Sequence, residues 1–415
     1  MNTKTNHSQT QQSKSANFLP KTLLVLMVAA IFTIMPSLSQ AQLFVSEHVV
    51  LGTTNKGLPG GEFAFAHDEG QDFPMVAIAG HNVSRGFVRI YSQEYLNFSV
   101  IQDLRLNLRQ AKLAWGDVDN DGDSDLLVTG KLHEKNTPIA AIYINVDGKE
   151  FYRAQRLKGV AGGSASFGDI DNDGDLDILM TGKGIKGDAC HLYRNYGDGY
   201  FAEISTGLTG ISHGGAYFAD LDGDDDLDIL LAGSSSKQKE PVFQIYRNED
   251  GGFMPTEMDM GGLKHITADF ADYDHDGDLD ILMTGKNEHS HPTTVLLEND
   301  GDMSFQKVET GMVNVAHGNA SFGDVDHDGD ADIFLTGKNA HGKHIVQFYR
   351  NDAGNWTSIE MEENLSAHFA ANSSLFDYNA DGDLDAVYVK ASPDYPRITT
   401  LANNISFTSE TMGMK

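Results

Sequence analysis

A single cysteine, Cys190, stands in a chain of 415 residues, which excludes an internal disulfide. An exported protein of this kind must be tied down by something else. Past residue 41 there is no useful run of apolar residues with a 3.6-residue period, so helices are not expected to build the fold. Long hydrophobic stretches are scarce too. The one clear run, Leu23 to Met35, falls short of the roughly 17–25 residues that cross a bilayer. Lys4, Lys14 and Lys21 precede it and the small residues of Ser39-Gln40-Ala41 follow it. Residues 1–41 therefore read as a signal peptide, cut after Ala41, and the mature protein as secreted, extracellular or periplasmic, with no membrane span left. Positive charge is in short supply: 30 Lys and Arg face 60 Asp and Glu, and loss of the leader's three lysines takes the formal charge from −30 to −33. Such a surplus excludes nucleic acid and anionic membranes as partners unless cations are bound. The GxSxG, HExxH, P-loop and dinucleotide-binding patterns are all missing.

What the chain has instead is repetition. WGDVDNDGDSDLLVTG at 115 returns as FGDIDNDGDLDILMTG at 167, FADLDGDDDLDILLAG at 218, FADYDHDGDLDILMTG at 270, FGDVDHDGDADIFLTG at 322 and LFDYNADGDLDAVYVK at 375. Neighbouring copies begin 51 to 53 residues apart. An eroded seventh, FAHDEGQDFPMVAIAG at 65, keeps Phe65 and Gly80 but not the alternating aspartates. One such unit cannot bury its own apolar face, so a fixed period of this length predicts stacked or radially arranged units.

Each unit contains an apolar run such as Ile178-Leu179-Met180, which reads as a strand buried on both faces, closed by Thr-Gly or Ala-Gly. A second strand carries LYRN, IYRN or FYRN and ends in an Asn- and Gly-bearing turn. A third begins at Phe201, Phe253 or Phe305, and the segment before each acidic loop supplies a fourth. Four strands per unit, seven times, predict an all-β, seven-bladed β-propeller over 42–415. Segments near 44–50 and 407 compete for the last outer place, so one terminus closes the ring, and the sequence leaves open which.

In the copy at 169, carboxylates fall at positions 1, 3, 5 and 9 (Asp169, Asp171, Asp173, Asp177), with Gly174 at position 6 to make the bend and the Asp175 carbonyl available at 7. Hard oxygen ligands in that number select calcium. An EF-hand is excluded, because position 12, where its bidentate Glu would stand, is Met180, Leu231, Met283 or Leu335.

The pattern DxDxDGxxD after Phe-Gly, kept at Phe167-Gly168 and Phe322-Gly323 and loosened to Phe-Ala at 218 and 270, resembles the FG-GAP or VCBS repeats, of which the integrin α-subunit propeller is a member. The resemblance spans nearly all of the mature chain. It implies calcium held between the first and second strands of blades 2 to 7, with up to six structural ions. The implied ligands are Asp117, Asp119, Asp121 and Asp125; Asp169, Asp171, Asp173 and Asp177; and Asp220, Asp222, Asp224 and Asp228. The later loops offer Asp272, Asp274, Asp276 and Asp280; Asp324, Asp326, Asp328 and Asp332; and Asp377, Asn379, Asp381 and Asp385. Asp225 replaces glycine in the third loop, a strained choice, and the neutral Asn379 weakens the last. His67, Glu69, Gln71 and Met75 hold the ligand positions of the first repeat, so no ion is expected there.

At the opposite end of the blades, His213, His265 and His317 each stand seven residues before a first ligand. Lys131, Lys183, Lys286 and Lys338 follow Thr-Gly, with His81, His133, His289, His291, His341 and His344 close behind. That face is expected to bind a polar or anionic ligand, a glycan or a protein, as loops on a rigid scaffold often do. A binding or adhesion module is therefore the expected function. The alternative is a glycan-active enzyme, similar to polysaccharide lyases, on the same face. Its irregular candidates are Arg85 and Arg89 in the first blade and Asp394, Tyr395 and Arg397 in the last.

Overall fold

The computed structural model describes residues 44–403, apart from 50–61, 69–73, 82–85, 95–96, 239, 250, 258–260, 302, 360–368, 380 and 391–396. The leader, Arg85, Asp394, Tyr395, Glu69, Gln71 and the segment at 407 lie outside the described residues. Within them the chain is all-β, without a helix, and forms seven four-stranded antiparallel sheets.

The repeat is visible in how each sheet is laid down. The third sheet runs Ala165–Gly168, Asp177–Gly184, Gly187–Asn195 and Phe201–Ile204, each strand paired with the next in sequence. The fourth, fifth and sixth repeat this order over 212–255, 264–308 and 320–359, the second over 108–160 and the first over 62–103. The seventh differs. Its strands Phe369–Phe376, Asp385–Lys390 and Arg397–Asn403 receive their fourth, outermost partner from the far end of the chain, Phe44–Val49, with Phe44 opposite Asn403. The N-terminal segment therefore takes the place that the sequence left contested.

Apolar side chains pack between sheets rather than beneath them. Successive residues of a strand face opposite ways, so Ile178 and Met180 join Leu127, Ile142 and Tyr193 between the second and third sheets. Leu179 joins Ile229, Leu231 and Tyr246 between the third and fourth. This is why the second strand of every unit reads as an unbroken apolar run. Burying each such side chain contributes about 1.5–3 kcal/mol. A seventh cluster unites Phe63, Val76, Ile78 and Tyr91 of the first sheet with Tyr378 and Val387 of the last, and Phe65 stacks on Phe376 at 4.8 Å. First strands of neighbouring sheets touch in cyclic order, the first sheet's with the seventh's included.

The Phe-Gly pair has a packing reason. A Cβ added to Gly168 would lie 2.6 Å from the ring of Phe218 on the next sheet, and one on Gly116 would lie 2.9 Å from Phe167. Phe167 and Phe218 thus need the preceding unit to be bare at that point. The second strand also runs past its Thr-Gly, to Gly184 in the third sheet, instead of stopping there. Gly182, at φ +140°, absorbs the irregularity in a backbone region that glycine tolerates.

Candidate functional site

The acidic loops join the first and second strands, and their geometry is built from carboxylate to backbone bonds. The position 1 aspartate accepts the N–H of position 6, from Gly122, Gly174, Asp225, Gly277, Gly329 and Gly382 at 2.8–3.1 Å. The position 5 carboxylate accepts the N–H of position 7, as from Asp175 to Asp173 at 3.0 Å. The position 9 aspartate is buried and begins the second strand. Its Oδ2 accepts the N–H of position 2 in all six loops, from Val118, Ile170, Leu221, Tyr273, Val325 and Tyr378.

In four loops the carboxylate oxygens of positions 1, 3 and 9 converge to within 4.8 Å of one another: Asp117, Asp119 and Asp125; Asp169, Asp171 and Asp177; Asp220, Asp222 and Asp228; Asp324, Asp326 and Asp332. In the fifth sheet the converging trio is Asp272, Asp274 and Asp276. Burial pushes the closing carboxylates up, Asp125, Asp228, Asp280 and Asp332 to about 7 and Asp177 to about 6, against the pull of their backbone donors. Meanwhile the Oδ1 atoms of Asp119, Asp171, Asp222, Asp324 and Asp326 are buried and accept no hydrogen bond. A buried anionic oxygen without a donor is costly. These clusters can hold metal ions, and an all-oxygen, multi-carboxylate donor set is compatible with calcium.

Position 4 was silent in the sequence, yet Asn120, Asn172, His275 and His327 all stand there at positive φ. Their side chains cross to the position 7 aspartate of the next loop: Asn120 donates to Asp175 at 2.7 Å and Asn172 to Asp226 at 2.8 Å. His275 meets Asp330 at 2.9 Å and His327 meets Asp383 at 2.8 Å. The third loop has Gly223 here (φ +72°), which adopts the bend easily but sends no side chain across. Asp225 at position 6 does take the strained left-handed conformation, at φ +69°.

A second feature hidden from sequence reading is the asparagine that ends the third strand, which reads locally as a turn signal. Its backbone N–H donates to the position 9 carboxylate at 2.7–2.9 Å, from Asn145, Asn195, Asn248, Asn299 and Asn351. Its amide then reaches 77 or 78 residues back to the preceding sheet's loop: Asn195 to the Val118 carbonyl, Asn248 to Ile170, Asn299 to Leu221 and Asn351 to Tyr273. In the first sheet Gln93 takes the same place and reaches the Tyr378 carbonyl of the last. Only the repeat register reveals this strut.

At the other end of the strands, His213 and His265 sit inside bulges, between Ser212 and Gly215 and between Lys264 and Thr267. His213, His265 and His317 share φ values of 53–56°. The common bend throws their exposed rings into one arc, with centroids 5.1 Å apart from His213 to His265 and 5.0 Å apart from His265 to His317. Gln110 and Gly162 hold the equivalent left-handed positions on the second and third sheets. Burial, then the charges of His317, His213, Lys286 and Lys264, pulls the His265 imidazole down to about 4. Burial, Lys286 and Lys338 lower His317. Lys286 and Lys338 thus stand in the arc's field, and Lys264, missed in the sequence, joins them.

The other candidates disperse. Lys183 pairs with Asp188 at 3.1 Å, and Lys131 lies opposite Arg109 and Pro138 on the second sheet. Arg89 is on the first sheet's third strand and pairs with Asp103 at 2.9 Å, while Arg397 opens the last sheet's third strand.

Seven repeated four-stranded sheets with cores between them define the class as a β-propeller repeat fold. A family model described as FG-GAP-like repeat matches residues 117–180, 169–231, 220–283, 272–335 and 324–388, and the chain belongs to that family. Among solved structures it is similar to the exotype rhamnogalacturonan lyase YesX, at 11% identity and a TM-score of 0.53, over 83% of this chain and 61% of the lyase. It is also similar to the rhamnogalacturonan lyase PL11 of Bacillus licheniformis, at 14% identity and a TM-score of 0.48, over 86% of this chain and 75% of that one. No curated protein sequence matches it.

Proposed function

We propose that the mature chain, cut after Ala41 and secreted, is a seven-bladed propeller that holds calcium in the six loops of blades 2 to 7 and binds an acidic glycan on its opposite face. The ring reading is supported by the cyclic contacts of the first strands and by the bond from Gln93 to the Tyr378 carbonyl. The calcium reading is supported by the buried carboxylate oxygens that accept no hydrogen bond. Calcium would serve the fold, in the place that disulfides fill in other exported proteins.

The observation that carries the binding reading is the imidazole arc with Lys264, Lys286 and Lys338 in its field, on a protein of formal charge −30. Neutral imidazoles donate hydrogen bonds to carboxylate and hydroxyl oxygens, and lysines supply the charge that a uronate or sulfate needs. Isothermal titration with polygalacturonate against neutral dextran tests it. Polygalacturonate should bind, weaken as salt rises, and be lost in the variant carrying His213→Gln, His265→Gln and His317→Gln. Equal binding of dextran, or an unchanged affinity in that variant, overturns the reading.

A second reading, a glycan-active enzyme at the same arc, has one observation in its favour. His265 is kept unprotonated among cationic neighbours, the pairing of base and positive charge that proton abstraction beside a carboxylate requires. Release of an unsaturated, ultraviolet-absorbing product from the same polysaccharide, abolished by His265→Gln, would select it.

A further inference from the structure

The residue just before the strut asparagine changes its charge from sheet to sheet. It is Ile144, Arg194, Arg247, Glu298 and Arg350 in sheets two to six. The three arginines reach the position 3 aspartate of their own loops. Arg194 pairs with Asp171 through Nη2, and Arg247 pairs with Asp222 through Nε at 2.9 Å, where the carboxylate is only 4% exposed. Arg350 is divided, 2.7 Å from Asp352 but 4.0 Å from Asp326. Ile144 is buried and carries no charge. Glu298 adds a carboxylate beside the loop at 272–280, where it accepts a hydrogen bond from the Tyr273 hydroxyl at 3.0 Å.

We propose that this side chain sets how far each loop depends on its cation. Arg194 and Arg247 are built-in counter-cations that hold their loops in shape without calcium and compete with it for the position 3 carboxylate. Arg350 does so in part. The loops at 117–125 and 272–280, facing Ile144 and Glu298, have no such substitute and take calcium most tightly. A guanidinium bound to a carboxylate already supplies the charge and hydrogen bonds that a metal would bring, so the ion's net gain there is smaller. The Oδ1 atoms of Asp171 and Asp222 stay without a donor even so, which leaves each position 3 carboxylate one oxygen to offer an ion. The five loops therefore form a graded series, with structure retained at some sheets and switched by the ion at others.

This inference rests on the calcium reading, and the experiment separates the two. Titration of the chelator-stripped mature protein with calcium first establishes binding. Hydrogen exchange is then followed loop by loop, with calcium and with chelator. Chelation should speed exchange at least about tenfold in peptides covering 117–125 and 272–280, much less at 169–177 and 220–228, and to an intermediate degree at 324–332. Arg247→Ile should make the loop at 220–228 respond to calcium like that at 117–125, and Glu298→Gln should reduce the response at 272–280. Calcium heats with uniform protection changes across the five loops, or an unchanged loop in both variants, overturn the counter-cation role while leaving calcium binding standing. The absence of any calcium heat in the unmodified protein removes both.

Discussion

The two ends of the sheets obey different rules. At the loop end, position 9 is aspartate in all six acidic copies, and each of these carboxylates is bonded to the backbone of its own loop. Asparagine struts and position 4 side chains then carry most loops across to their neighbours. At the other end, one left-handed backbone position holds Gln110, Gly162, His213, His265 and His317 in turn. The position 9 carboxylate, bonded to its own loop's backbone, does not vary among the six copies, whereas the left-handed position at the other end, which only presents a side chain outward, does. The contrast separates what assembles the molecule from what it displays, and it does so within a single chain.

The strongest way to break the comparison is to strip the cations proposed for the acidic loops. Chelation should lower the thermal midpoint by more than about 10 °C, since each loop held at about a hundred times its dissociation constant contributes roughly 2.7 kcal/mol. Differential scanning calorimetry of the variant with all three arc histidines changed to Gln should show a midpoint within about 2 °C of the unmodified protein, because these are exposed side chains. An effect of equal size at both ends would erase the distinction.

A narrower test removes one strut. Asn248→Ala takes the donor from the Ile170 and Leu227 carbonyls and the acceptor from the Gly251 N–H. It should cost about 2–4 kcal/mol in urea melts, whereas Gln110→Ala, at the display end, should fall within about 0.5 kcal/mol of zero.

The smallest effect sharpens the display end through pH. Partial burial, then the charges of its histidine and lysine neighbours, pulls the His265 imidazole from its ordinary 6.5 down to about 4. Below about 6.5 the unfolded chain gains a proton that the folded chain refuses, so this histidine subtracts stability as pH falls towards about 4 and none at neutrality. His265→Gln should shrink the drop in midpoint between neutral and mildly acidic buffer by about 2 °C. An unchanged drop would mean that the ring is not shielded.

Much of this was legible in the sequence because repetition averages out local ambiguity. The six acidic copies, four of them strict DxDxDGxxD, marked the loops, and the apolar runs such as Ile178-Leu179-Met180 marked the strands between two cores. Asn195 and Asn248 read as turn formers because their partners, Val118 and Ile170, lie more than seventy residues away. Arg194 and Arg247 stand out in the sequence only as part of the LYRN and IYRN strand motifs; their pairing with Asp171 and Asp222 depends on how the loop folds back onto its own sheet. The arc of His213, His265 and His317 was visible as a spacing. What brings the rings to 5 Å is a shared left-handed bend, set in a bulge at His213 and His265, which depends on pairing register and on no residue type alone.

The seventh sheet sets the timing of assembly. Phe44 pairs with Asn403, so the first strand of the chain finds its partner only when nearly the last is available. A chain emerging N-terminus first can complete sheets one to six in order, each over a loop of a few dozen residues, while residues 44–49 wait unpaired. Closing this final sheet spans some 350 residues, the largest loop-closure entropy in the molecule. The seam thus carries the largest chain-entropy cost of any strand pairing among the described residues.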